Sequence, residues 1–205
     1  MRRLIFSLVV ALLLWTLMFS PWTAPHFDFW TSMSGSAAIL IGLATLFAPP
    51  WWRKLQLTRE NLVLGLGIAL VLWGVFWVGD KASSWLFDFA REQVDSIYGI
   101  KGETSPWVLL LLLLLLIGPA EEIFWRGYVQ DRLSAKWGPN RGFLLATAAY
   151  TLVHLPSGNF MLVMASMVCG LAWGGLYRVM PQRFAAILIS HAVWDAAVFV
   201  WFPIM

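Results

Sequence analysis

Eight consecutive leucines, Leu109 to Leu116, lie inside an apolar segment that runs from about 106 to 129. A helix needs roughly 20 apolar residues to cross ~30 Å of hydrocarbon, and in lipid every backbone polar group must be satisfied within the segment itself, which selects a helix. Comparable segments occur at about 4–20, 34–50, 61–79, 142–156, 160–179 and 184–204. The segment at 142–156 is short and depends on neighbouring helices to complete its passage. The charged fraction is 12%, against about 25% for soluble domains, and hydrophobic residues make up 60% of the chain. The expected fold is an all-α, polytopic membrane helical bundle of about seven spans, forming one integral-membrane domain over residues 1–205.

Residues 82–98, ASSWLFDFAREQVDSIY, follow a different pattern. Trp85, Leu86, Phe89, Val94 and Ile97 recur at helical spacing, with Asp88, Arg91, Glu92 and Asp95 between them, so this stretch reads as an interfacial amphipathic helix. With that helix outside and the N-terminus inside, eleven Lys and Arg residues fall on the inner side or within the fourth span. Three (Lys81, Arg91 and Lys101) fall outside. The expected location is therefore a multi-pass, prokaryotic inner (plasma) membrane with a cytoplasmic N-terminus. Residues 1–24 read as an uncleaved first span, because no small-x-small cleavage site follows the apolar run. The net charge of +3 is spread between apolar segments and forms no patch suited to nucleic acid. The single cysteine, Cys169, reads as a buried packing residue, and Gly170 and Gly174 as a small-x-x-x-small helix contact.

The sequence GPAEEIFWRG at 118–127 places two glutamates and an arginine at the end of the leucine run. An ionised side chain at bilayer depth costs ~2.5–3.5 kcal/mol on insertion scales and needs a partner. Glu122 and Arg126 are four residues apart and can pair along one helix face, whereas Glu121 is turned by about 100° from Glu122 and points elsewhere. Gly118 and Pro119 can bend the helix there. Tyr150 and His154 share a face of the fifth segment, and His191 and Asp195 share a face of the last. At ~1.5 Å per residue the acidic and imidazole groups can meet in one layer near the middle of the bundle. Such a set can deprotonate water, polarise a carbonyl and protonate a leaving amine. Neither Ser190 nor Cys169 has the surroundings of a nucleophile.

Three spaced motifs occur in order: Glu121-Glu122-Ile-Phe-Trp-Arg126, Tyr150-Thr-Leu-Val-His154 and His191-Ala-Val-Trp-Asp195. Over about 106–197 the chain resembles the CPBP family of intramembrane proteases, also called the Abi or CAAX prenyl endopeptidase type II family. The resemblance implies a glutamic-type endopeptidase in which Glu121 activates water together with His154, and His191 and Asp195 stabilise the oxyanion. Glu122, Arg126 and Tyr150 support them. Asp195 stands where the prenyl-protein proteases carry asparagine, and a carboxyl group donates a hydrogen bond only when protonated.

The expected partners are the lipid bilayer and a peptide or protein substrate at the membrane, without nucleic acid. No cofactor is expected under this reading. Two alternatives remain open from sequence: the same residues as zinc ligands of a protease, or a non-catalytic membrane adaptor or proton-linked transporter that uses them as a relay. The substrate's identity is not written in these residues.

Overall fold

The computed structural model describes residues 1–48 and 50–204. Among them there are eight principal helices: α1 (Arg2–Phe19), α2 (Phe29–Phe47), α3 (Arg59–Leu86), α4 (Ala90–Gly99), α5 (Pro106–Trp137), α6 (Pro139–Leu152), α7 (Phe160–Val179) and α8 (Pro181–Trp201). Local chemistry sets their starts. The side chains of Asp28, Thr58 and Asn159 cap α2, α3 and α7 by accepting from the backbone N–H groups of Thr31, Asn61 and Leu162. Proline occupies the first turn of α5, α6 and α8, where its missing N–H is not needed.

Six helices are long and apolar enough to cross a membrane: α1, α2, α3, α5, α7 and α8. At 14 residues α6 falls short of that length, yet it leads from the α5 end of the bundle to the start of α7. The amphipathic helix expected at 82–98 is shorter. Residues 82–86 continue α3, the chain turns at Phe87–Phe89, and α4 covers Ala90–Gly99. The turn folds α4 back so that Arg91 reaches Asp80 of α3 at 3.2 Å, a tertiary contact that periodicity does not report.

Pro119 does not break α5. Its missing N–H is absorbed by a π-helical turn over Leu113–Ile117, where the Gly118 N–H reaches back to the Leu113 carbonyl, and a second π turn spans Trp125–Gln130. Glu121 and Glu122 lie between these turns, at the centre of the 32-residue α5. Gly118 is there for space. A Cβ would come within 2.7 Å of the Ala192 Cα, so the small residue lets α5 and α8 touch backbone to backbone. Gly170 and Gly174 act as the packing contact expected of them, the first against Thr147 and Tyr150, the second against Gln130 and Phe143.

α8 forms the middle of the bundle, packed along α3 and against α5. One end is tied by polar contacts: Lys54 to Asp131 and Tyr177, Arg183 to Glu60, and Arg132 to the Phe47 carbonyl. This end carries ten Lys and Arg residues rather than eleven, because Arg126 is buried at 2% exposure inside the bundle. At the other end α4 is pinned by its Gln93, whose side chain accepts from the Met161 N–H and whose carbonyl accepts from Asn159, and by Tyr98, whose hydroxyl accepts from the Ile204 N–H.

Candidate active site

All the ionisable groups singled out in the apolar segments converge. Glu121, His154, His191 and Asp195 line one cavity of about 480 Å³, with Tyr150 also in its wall. Glu121 and Glu122 are central in α5 and His191 is the central residue of α8, which brings them to one layer. His154 arrives by another route. It was expected within the fifth helix, but α6 ends at Leu152, four residues before Pro156, whose missing N–H cannot continue the ladder. His154 stands in the turn that follows, its ring still 5.2 Å from that of Tyr150.

The two glutamates face different surroundings. Glu122 is fully buried, and its Oε1 accepts from Arg126 Nη1 at 2.8 Å and from His191 Nδ1 at 2.7 Å. Arg126 continues to the Cys169 carbonyl, and its guanidinium lies over the rings of Tyr150 and Trp173. This holds α5, α6, α7 and α8 together around one charge pair. Glu121 is 7% exposed, faces the Tyr150 phenol, and its Oε2 has no hydrogen-bond partner among the described residues. Glu122 Oε2 likewise has no partner among the described residues, but of the two glutamates only Glu121 lines the cavity.

His191 is held on three sides. Nδ1 donates to Glu122, Nε2 lies 3.4 Å from Asp195 Oδ2, and the ring stacks on Trp173 at 3.8 Å. Trp173 is itself oriented by donating to Ser190 Oγ at 2.7 Å. His154 is held by Nδ1 donating to the Tyr150 carbonyl at 2.8 Å, which leaves Nε2 as the acceptor of the Trp15 indole N–H at 3.1 Å. Trp15, Phe19 and Tyr150 pack around that ring.

Sequence reading did not pick out Trp15, Trp173 or Trp194. All three lie in apolar segments where an indole reads as packing. Trp194 lines the cavity, is 8% exposed, and its N–H has no acceptor among the described residues. A signal was present for Trp194 alone, which lies between His191 and Asp195 in the last motif. The donor set also bears on zinc: among the described residues no three His, Cys, Asp or Glu side chains converge so as to hold a metal ion. Glu122 Oε1 accepts from Arg126 and His191, and both nitrogens of His154 are engaged.

Residues 103–197 match the family model described as Type II CAAX prenyl endopeptidase Rce1-like. This segment is Rce1-like. No curated protein and no solved structure matches the chain. At family level the match is to a CAAX-type intramembrane endopeptidase, a peptide hydrolase, and the six apolar helices make the chain an integral multi-pass membrane protein. The Rce1-like segment contains all three motifs, with Glu121, Glu122, Arg126, Tyr150, His154, His191 and Asp195. Trp15, which donates to His154, lies outside it.

Proposed function

We propose that the protein cleaves a peptide bond of a membrane-associated or lipid-anchored substrate by direct attack of water, with no covalent enzyme intermediate. Glu121 is the general base. The observation that carries this reading is its carboxylate, buried on the cavity wall with one oxygen unpartnered, while its neighbour Glu122 lies off that wall and accepts from Arg126 and His191 through Oε1.

In the proposed reaction Glu121 takes a proton as the water oxygen bonds to the carbonyl carbon. His154 shares that water through Nε2, the lone pair that the Trp15 indole otherwise occupies. The oxyanion accepts from a proton on His191 Nε2, which lies 3.4 Å from Asp195 Oδ2. Collapse breaks the C–N bond as Glu121 returns its proton to the leaving nitrogen, giving a free amine and a carboxylic acid. Glu122, Arg126 and Trp173 hold the His191 ring in place. The N-terminus lies in the cytoplasm, as the placement of basic residues favours. No cofactor enters the scheme.

The test is cleavage of a membrane-anchored peptide by purified, reconstituted protein. General acid–base groups contribute about 10²–10⁴ in rate, so Glu121→Gln is expected to lose cleavage by that factor while still inserting and folding. A Glu121→Gln protein that cleaves at the wild-type rate removes the proposed base.

A further inference from the structure

The cavity wall outside the reacting groups is built from one end of the bundle. It uses the last turns of α1 and α3, the first turns of α2 and α7, α4, and the final residues of α8. None of its lining residues comes from the end that carries the ten Lys and Arg side chains; the end it uses carries Lys81, Arg91 and Lys101. Basic residues gather on the cytoplasmic side of membrane proteins. The cavity therefore opens toward the opposite face.

The opening also reaches the lipid-facing surface. Val75 on α3 is 47% exposed and Phe160 at the start of α7 is 43% exposed, yet both line the cavity. Between these helices lies α4, which packs on each of them and turns Val94 and Ile97 into the cavity. Its polar ties, Arg91 to Asp80 and Gln93 to Asn159 and Met161, run along the rim. α4 is thus a roof over a cleft that is open sideways to lipid, at the depth where an amphipathic helix rests.

The occupant is set by two buried, unpartnered polar groups on a mostly apolar wall. Glu121 Oε2 and the Trp194 indole N–H have no partner among the described residues. An acyl chain would leave both unsatisfied, whereas a peptide backbone brings a carbonyl for Trp194 and the amide that Glu121 addresses.

We infer that the substrate is a membrane-anchored peptide in the non-cytoplasmic leaflet, which reaches the site laterally through the cleft between α3 and α7 beneath α4. Calling it a substrate rests on the endopeptidase reading above; the face on which the cleft opens does not.

Two measurements on the full-length chain test this. In a Cys169→Ala background, Ser83→Cys at the mouth and Trp85→Cys on the same face are expected to react with a membrane-impermeant maleimide in intact cells. Trp52→Cys on the basic face is expected to react only after permeabilisation. The reverse pattern, or a Ser83→Cys that reacts in neither condition, overturns the assignment. The second measurement narrows the cleft with Val75→Trp. KM for a transmembrane-anchored peptide is expected to rise about tenfold more than KM for a short soluble peptide in detergent. Equal effects on both peptides, or none on either, would show that the cleft is not the route and that a lipid tail or a packing contact explains it. Cleavage of the soluble peptide reports the endopeptidase reading independently, so the two proposals fail separately.

Discussion

Glu122 Oε1 receives hydrogen bonds from Arg126 at 2.8 Å and His191 at 2.7 Å, while adjacent Glu121 turns its carboxylate to the cavity wall. Helical geometry alone separates these two carboxylates. A four-residue step pairs Glu122 with Arg126, and the ~100° rotation to Glu121 turns that side chain to another face. This part of the site is legible in the motif. The environment of Asp195 is not, and it carries a prediction. Asp195 Oδ2 lies 3.4 Å from His191 Nε2, and an asparagine amide there donates without needing a proton. Asp195→Asn is expected to keep cleavage within about tenfold of wild type, and Asp195→Ala to fall below that, since one hydrogen bond is worth ~0.5–1.5 kcal/mol. Initial rates on one anchored peptide would decide it; equal loss in both variants would mean that the carboxylate itself is required.

Between elements, small residues and displaced hydrogen bonds set the geometry. The π turns flanking Glu121 and Glu122 let α5 pass through Pro119 unbroken, and Gly118 lets it lie against the Ala192 backbone of α8. A methyl group at that glycine has no room, and overpacking of this kind costs about 1–3 kcal/mol. Gly118→Ala is accordingly expected to lower the unfolding midpoint in detergent and to reduce cleavage, because α5 and α8 carry the two halves of the carboxylate–imidazole cluster. An unchanged midpoint would show that the two helices can separate without penalty. Apolar periodicity located α5, α7 and α8. It overextended the helix bearing His154, where Pro156 ends the ladder, and it joined the end of α3 to α4, which the turn at Phe87–Phe89 separates and the Arg91–Asp80 contact folds back.

At the scale of the whole molecule, the site is completed from outside its own motif-bearing segment. Trp15 in α1 donates to His154 across a separation of 139 residues, and Phe19 packs on the same ring. The bond orients the ring, whose tautomer the Tyr150 carbonyl sets. Trp15→Phe keeps the ring and loses the N–H, so kcat is expected to fall up to about tenfold with KM unchanged, the loss of one oriented hydrogen bond. A rise in KM with kcat preserved would instead make Trp15 a wall of the substrate cleft.

The sequence by itself determined that the chain is a membrane helical bundle, because segments of that length and apolarity can satisfy their backbones only as helices in lipid. It also determined which ionisable residues would need partners there, because lipid offers a buried charge none. Only the tertiary structure decided that Glu122 binds His191 as well as Arg126, that indoles from α1 and α7 hold the two imidazoles, and that α4 roofs a cleft between α3 and α7. Those contacts join residues far apart in the chain, and in an apolar segment a tryptophan that orients a histidine is spelled the same way as one that merely packs.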